Sequence, residues 1–297
     1  MSAAPYRTAG KRFGLIGHPV GHSVSPAMMR AAFEALGLPH TYDAVDVPDA
    51  GALAEHAAAL RAGEREGLNV TIPHKLAAVA LADEVGEGAA RAGAANVLAR
   101  GRDGRIRAEN TDAAAIVRVL DPLLAARRWA LVIGSGGAAR AALIACEALG
   151  FRGVEITSRS WTTPEEAWER GADLPEIRPQ VQRVPWVSEW GEPQVLGGRE
   201  ADLVIQATSA GMAGADPGDE VAQRVPWEAL PARAVAFDVV YRPRRTPFVE
   251  AARRRGLAGV DGLGMLVEQA ALALHLWLGV EAPREVMARA AEDALGA

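Results

Sequence analysis

The heptapeptide NVTIPHK (residues 69–75) ends on one of only two lysines, Lys11 and Lys75, in a chain whose other basic residues are all arginine. Arginine serves wherever a fixed positive charge suffices, because it cannot give up its proton. Taken alone, Lys75 reads as an ordinary surface lysine; with suitable neighbours it can instead transfer a proton. Pro73 suits the first position of a helix, which would put Lys75 in the first turn. There the positive end of the helix dipole disfavours an ammonium and lowers its pKa. Asn69 and Thr71, two apart, share a strand face and can recognise hydroxyl groups near the lysine.

Three other short stretches carry compatible chemistry. In HPVGHSVSPAMM (18–29), Ser23 and Ser25 precede Pro26, with Ser25 placed to cap the helix that Pro26 opens. Two hydroxyls and open helical N–H groups there can equally hold a small carboxylate. Asn110-Thr111-Asp112 opens another helix, and Asp112 can pair with Lys75 and accept from substrate hydroxyls; as a cap alone, the triplet needs no function. Asn96, in GAANVL, is a further hydroxyl-binding amide.

A nucleotide site is written separately. Gly134-Ser135-Gly136-Gly137-Ala138-Ala139 fits G-x-G-x-x-A directly after the apolar run WALVI and at the start of a helical pattern. Exposed N–H groups and the dipole at such a helix start favour a pyrophosphate. An acidic residue at the end of the next strand would bind the ribose 2′-hydroxyl of NAD. Here that strand ends Thr157-Ser158-Arg159-Ser160, so an arginine stands where a carboxylate would repel a 2′-phosphate. NADP is the expected cofactor, with NAD the weaker alternative.

The elements that must position these groups alternate along the whole chain, as in an α/β protein with largely parallel sheets. Strands are predicted at 13–17, 41–47 and 67–72, with helices from Pro26 to Leu36, over 50–62 and from Pro73 onward. ANVLAR and RIRAEN read as a hairpin around Asp103-Gly104. After a helix at 112–126, strands follow at 129–133, 154–159, 202–208 and 234–240, and helices at 262–279 and 283–295 close the chain. A domain boundary is expected near 112–127. The stretch 161–199 holds Trp161, Trp168, Trp186 and Trp190, which are assigned to packing, and a capping box at Thr163-Pro164-Glu165-Glu166.

With 297 residues, 49% of them hydrophobic and 23% charged, the chain can bury a sizeable core. A formal net charge of −5 argues against nucleic acid as a partner. The single cysteine, Cys146, excludes an internal disulfide framework and is read as a core residue. Six histidines show no metal-ligand spacing, so no metal is expected, and His74 is assigned a structural role. Arg253-Arg254-Arg255 before Gly256 reads as the solvated end of a helix. No apolar segment approaches a membrane span, and the first residues lack the apolar core of a signal peptide, which makes the cytoplasm the default location.

HPVGHSVSP, NVTIPHK, GAANVL, ENTD, GSGGAAR, SRS, VVYRPRRTPF and DGLGMLVEQAALAL together resemble the shikimate dehydrogenase family, in order and spacing, from about residue 13 to residue 295. The resemblance implies an N-terminal α/β substrate domain and a Rossmann-type NADP-binding domain, with the active site in the cleft between them. Residues 1–112, completed by the helices at 263–297, would form the first domain, and 113–262 the second. It further implies that Ser23 and Ser25 hold the shikimate carboxylate, and that Asn69, Thr71, Asn96, Asp112, Tyr241 and Gln269 bind the ring hydroxyls. Lys75 would be the catalytic lysine and Asp112 its partner. Gly134, Ser135, Gly136, Gly137, Ala138, Ser158, Arg159, Ser160 and Val239 would take NADP, with Gly262 near the nicotinamide.

The implied reaction is reversible hydride transfer between NADPH and 3-dehydroshikimate, in the route to chorismate and the aromatic amino acids. Two departures stand out. Where family members often read N-R-T-x-x-R, this chain reads S-R-S-W-T-T, so Thr163 occupies the second arginine's place. Where they read N-A-T-S, it has Gln206. A quinate/shikimate dehydrogenase of relaxed cofactor use is the neighbouring alternative, and a non-catalytic NADP-binding regulator the more distant one. Monomer and homodimer are both compatible with the sequence.

Overall fold

The structure is a computed structural model and describes residues 10–186 and 200–296. The chain divides into two compact units. The first runs through Gly86, resumes over Ala95–Glu109 and closes with the chain from Ala270 onward; the second takes Glu87–Ala94 and Asn110–Gln269.

The opening part of the chain forms β1 (Arg12–Gly17), α1 (Ser25–Ala35), β2 (Thr41–Asp46), α2 (Ala50–Arg61), β3 (Gly67–Val70), α3 (Ala77–Ala80) and β4 (Glu84–Val85). It continues through α4 (Glu87–Ala92), β5 (Val97–Arg100) and β6 (Ile106–Glu109). The first sheet has the order β2-β1-β3-β5-β6-β4. β1 is parallel to β2 and β3, whereas β5 is antiparallel to β3 and β6, which realises the hairpin expected around Asp103-Gly104. β1 and β3 are almost wholly buried, as continuous apolar runs in a covered sheet should be.

The remainder forms α5 (Asp112–Leu120), β7 (Trp129–Ile133), α6 (Gly137–Ala148), β8 (Gly153–Thr157), α7 (Pro164–Arg170), β9 (Gln180–Val184) and β10 (Ala201–Gln206). There follow α8 (Asp219–Arg224), β11 (Val235–Asp238), α9 (Pro247–Arg254), β12 (Ala258–Val260), α10 (Leu263–Leu278) and α11 (Arg284–Gly296). The second sheet, β12-β11-β10-β7-β8-β9, is parallel throughout. The strand order reverses between β7 and β10, the doubly wound arrangement whose ligands lie at the carboxyl ends beside the reversal. Alternation along β7 feeds both faces. Ala130 and Val132 join a cluster with Leu143, Ile156 and Phe237, while Leu131 and Ile133 join one with Trp227 and Phe248.

Several elements depart from the sequence expectation. Residues 72–76 are turns, the Ile72–Pro73 peptide is cis, and the helix starts only at Ala77, so Lys75 is not in a helical first turn. The helix expected over 112–126 stops at Leu120, where Asp121-Pro122-Leu123 tightens into a 3-10 turn, since proline lacks the N–H that would extend it. β4, β9 and β12, of two, five and three residues, are additions to the expected strands.

Trp161 and Trp186 are buried as expected, and so is Cys146, whose burial pushes its thiol pKa up to about 12. Trp168 is instead exposed, with the Arg183 guanidinium 5.3 Å from its ring centroid, and Trp190 lies outside the described residues. Thr163 caps α7 by accepting the Glu166 N–H at 3.2 Å. The Glu166 carboxylate reaches back one residue beyond the expected partner, to the N–H and hydroxyl of Thr162.

Trp277 of α10 is wedged into the first unit. Its ring stacks on Phe13 at 4.9 Å, its indole N–H donates to the Leu98 carbonyl at 3.2 Å, and a Cβ at Gly67 would overlap the indole. Gly67→Ala should therefore destabilise the protein by about 1–3 kcal/mol through overpacking. Urea unfolding would show this as a lower midpoint at unchanged slope; an unaltered midpoint would mean that the indole moves aside freely.

Candidate active site

In the first unit the candidate substrate residues collect where β3 gives way to the turns that carry Lys75. Val70 donates its N–H to the Asn96 carbonyl at 2.8 Å, and the Asn69 side-chain amide donates to the same oxygen at 3.3 Å. Tyr42 donates its hydroxyl to Asn69 Oδ1 at 2.8 Å, so a residue of β2 orients that amide. The Ala95 N–H donates to the Lys75 carbonyl at 2.8 Å, which joins the lysine's backbone to the residue before Asn96. Thr71 follows on the same segment, its N–H on the Ile16 carbonyl at 2.9 Å. Asn69 and Asn96 are buried, whereas Thr71 and Lys75 are half-buried.

His74 is structural, as expected. It is buried, and its Nε2 lies 2.7 Å from the Val47 carbonyl oxygen. Ser25 is not the cap of α1. The helix begins at Ser25 itself, after Val24 and with no side-chain cap, and the Ser23 hydroxyl accepts the Ser25 N–H at 3.2 Å. The two serines remain adjacent.

In the second unit, Asn110 rather than Asp112 steadies the start of α5. Its side-chain oxygen accepts the N–H of Asp112 at 3.1 Å, while its amide donates to the Ala94 carbonyl at 2.8 Å. Asp112 is buried. Thr111 donates its hydroxyl to the Gln269 carbonyl at 3.1 Å, which brings the Asn110–Asp112 segment and Gln269 together.

The cofactor candidates fall into two groups, one around Gly134–Ser160 and one at Val239 and Gly262. Gly134 has φ of +126°, and a Cβ there would lie 2.9 Å from the Ala207 carbonyl oxygen, so the turn out of β7 requires glycine. A Cβ at Gly136 would meet no protein atom, which leaves room for a ligand against the exposed N–H groups of α6. The hydroxyls of Ser135, Ser158 and Ser160 form a chain with both links at 3.1 Å. Arg159 pairs with Asp216 at 3.0 Å. Gly262 donates its N–H to the Val240 carbonyl at 3.0 Å, and a Cβ on it would overlap the Val239 carbonyl, so two of the cofactor candidates touch. These features suit a dinucleotide with a phosphate on its ribose.

A buried polar network that the sequence did not reveal supports the loops around these groups. The Gln206 amide donates to Asp238 Oδ1 at 3.2 Å and to the Ala210 carbonyl at 2.8 Å. Asp238 also accepts the Thr246 hydroxyl at 2.6 Å and the Val240 N–H at 2.9 Å. It therefore spans the segment 239–246, which carries Val239 and half-buried Tyr241. The only sequence trace of this network is the acid and the hydroxyl eight residues apart within DVVYRPRRT.

Comparison with known proteins agrees with this geometry. The model of the shikimate dehydrogenase substrate binding domain matches residues 15–98, and that of the shikimate 5′-dehydrogenase C-terminal domain matches residues 262–292. Shikimate dehydrogenase (NADP(+)) of Symbiobacterium thermophilum is 39% identical over 97% of this chain and 96% of its own. The chain belongs to the shikimate dehydrogenase family. Among solved structures, the Thermus thermophilus shikimate 5-dehydrogenase in complex with NADP(H) and shikimate is 36% identical, with a TM-score of 0.79 over 96% of this chain and 100% of that one. The ligand-free 5-ketofructose reductase of Gluconobacter sp. is 29% identical, with a TM-score of 0.80 over 96% of this chain and 99% of that one.

Within this family the chain's departures acquire a structural meaning. Thr163, in the place of the second arginine, is the α7 cap. Gln206, in the place of asparagine, reaches Asp238. Among the described residues no cluster of three or more His, Cys, Asp or Glu could hold a metal ion, and no helix is long and apolar enough to cross a membrane.

Burial pushes the Asp238 carboxyl up to about 7, and the charge of Asp261 adds to the rise, against the Thr246 hydroxyl and the Val240 N–H that pull it down. An acid whose pKa is raised on folding binds more protons folded than unfolded between the two values. Stability contributed by its neutral form is then lost as pH rises from about 4 to about 7 and is constant above. The limiting slope is about 1.4 kcal/mol per pH unit. Asp238→Asn should flatten this fall in denaturation measured across that range. An unchanged profile would show that Asp238 titrates at its ordinary value.

Proposed function

We propose that this chain catalyses the reversible NADPH-dependent reduction of 3-dehydroshikimate to shikimate, an oxidoreductase step at a CH–OH group in aromatic biosynthesis. The observation that carries the reading is the join at Ala95-Asn96, which ties Lys75 and Asn69 to one short segment. The backbones of Lys75 and Asn96 and the amide of Asn69 are thereby tied to one segment. This supports a site that pairs a proton-transferring amine with hydroxyl-recognising amides, as reduction of a ketone on a polyhydroxy ring requires. NADP supplies or takes the hydride at its nicotinamide. Lys75 gives the proton to the oxygen that becomes a hydroxyl and removes it in the reverse direction, with Asp112 as its partner.

Ser23 and Ser25 take the substrate carboxylate. Asn69, Thr71, Asn96, Asp112, Tyr241 and Gln269 take its hydroxyls. Residues 134–138 bind the pyrophosphate, Ser158, Arg159 and Ser160 the 2′-phosphate, and Val239 and Gly262 flank the nicotinamide. Residues 1–112 with 263–297 form the substrate domain in this reading, and 113–262 the NADP domain. The compact second unit also includes 87–94, 110–112 and 263–269, so several substrate ligands belong to it. The reading places the enzyme in the cytoplasm, as a monomer or homodimer without nucleic acid.

Nicotinamide absorbance with shikimate, quinate or 5-ketofructose, each with NADP or NAD in the appropriate redox state, tests the assignment. Turnover of shikimate with NADP⁺ well above the other combinations is expected. Dominant turnover of quinate would make the chain a quinate/shikimate dehydrogenase, and dominant 5-ketofructose reduction would move it to the second structural neighbour's chemistry. Lys75→Ala should lower turnover by roughly two orders of magnitude or more, the scale of general acid–base catalysis, with NADPH binding by fluorescence unchanged. Near-wild-type turnover in that variant would remove the lysine from the mechanism.

A further inference from the structure

Arg159 is not free in solvent at the end of β8. Its Nη1 donates to Asp216 Oδ2 at 3.0 Å, across 57 residues of sequence. The acid is itself anchored. Its Oδ1 accepts the Gly218 N–H at 2.8 Å, and its carbonyl accepts the Gly211 N–H at 2.7 Å. Asp216 is therefore a carboxylate held by its own turn against the guanidinium assigned to the 2′-phosphate.

A phosphate monoester carries nearly two negative charges at neutral pH. Arginine presents five donors in a planar fork, so Nε and Nη2 can still donate while Nη1 is bonded to Asp216. A 2′-phosphate can join Arg159, but only with an anchored like charge on the other edge of the same fork. The repulsion falls on NADP alone, because NAD has a neutral hydroxyl at that carbon.

The neighbouring side chains do little to offset this charge. Thr163 stands where a second arginine is common. Arg170, whose Nη1 lies 3.0 Å from the Ser160 carbonyl oxygen, directs its Nη2 to Glu166 Oε1 at 2.9 Å.

We propose that Asp216 is a cofactor-specificity residue: it shares Arg159 with the 2′-phosphate and weakens NADP binding without affecting NAD. The chain then discriminates between the two cofactors less than Arg159 alone would make it do. This inference rests on the reading of Arg159 as the 2′-phosphate ligand.

Calorimetric binding of adenosine 2′,5′-bisphosphate and adenosine 5′-monophosphate, alongside NADP⁺ and NAD⁺, isolates the effect without turnover. Asp216→Asn keeps an oxygen for the Gly218 N–H and removes the charge, so the melting temperature should hold. The bisphosphate and NADP⁺ should bind roughly three- to ten-fold more tightly, with the monophosphate and NAD⁺ unchanged, and the gain should shrink as salt screens the charges. In an Arg159→Met background, Asp216→Asn should produce no such gain. Unchanged or weaker bisphosphate binding in Asp216→Asn, or an equal gain for the monophosphate, overturns the proposal while Arg159 keeps its role. If Arg159→Met leaves the preference for bisphosphate over monophosphate intact, the reading of Arg159 fails first, and the proposal with it.

Discussion

The carbonyl of Asn96 is the point on which the first unit's candidate chemistry depends. It accepts from the Val70 backbone and from the Asn69 side chain, and the peptide just before it holds the Lys75 carbonyl. A sheet that ended at β3 would leave the segment 71–76 supported only on its β1 side, through Thr71 and Ile72, and a flexible lysine on a turn could not present its amine at one place. The antiparallel strand β5 provides support on the other side. Asn96 leads directly into β5, whose pairing with β3 sets Asn69 opposite Val97, while the Ala95 N–H just before it ties down the lysine's backbone. The substrate recognition and proton transfer proposed for these residues would thus rest on the sheet, and precise placement of this kind is what converts binding into rate.

The second unit meets its demand differently. A parallel sheet collects its loops at the carboxyl ends of the strands, and the reversal of strand order between β7 and β10 leaves space there. Gly134, Ser135 and Gly136 occupy that space after β7, Ser158 and Arg159 follow β8, and the segment begun by Ala207 follows β10. No single loop defines the nucleotide site. The strand order defines it, and the glycines allow a ligand to reach the backbone. Gln206 and Asp238 then bind the ends of β10 and β11 to each other, so the loops carrying Tyr241 and Gly211 share one buried support.

What was legible in the sequence was what is local. The glycine turn, the hairpin at Asp103-Gly104, the α7 cap and the alternation of strands with helices each follow from residues within a few positions of one another, and all of these are found. The turn holding Lys75 departs from expectation because the helix-starting preference of Pro73 yields to other bonds, namely His74 N–H to the Thr71 carbonyl and Ala95 N–H to the Lys75 carbonyl. Ser25 is the first helical residue rather than the cap, and its N–H bonds the Ser23 hydroxyl two residues back, which spacing alone does not select. Tyr42 with Asn69, Gln206 with Asp238, and Arg159 with Asp216 are pairs distant in sequence. Nothing in their residue types announces the partner.

The scarcity of lysine connects these levels. In a chain that meets nearly every need for positive charge with arginine, cations are permanent and their effects are set by the acids placed against them. Arg65 donates to both oxygens of Asp43 at 2.5 and 2.8 Å, and Arg244 to Asp261 at 2.9 Å. Such pairing tunes a fixed charge by neighbours, because its protonation cannot change. A 2′-phosphate site needs only a fixed charge, so Arg159 would suffice in the role proposed for it, with its strength set by Asp216. Ketone reduction needs a proton that moves, which no arginine can supply. Of the chain's two lysines, Lys11 pairs with Glu66 at 3.4 Å in an ordinary ion pair, a role arginine could fill. Of the two, Lys75 is therefore the one open to the proton transfer proposed for it, and its carbonyl is tied to the Ala95 N–H.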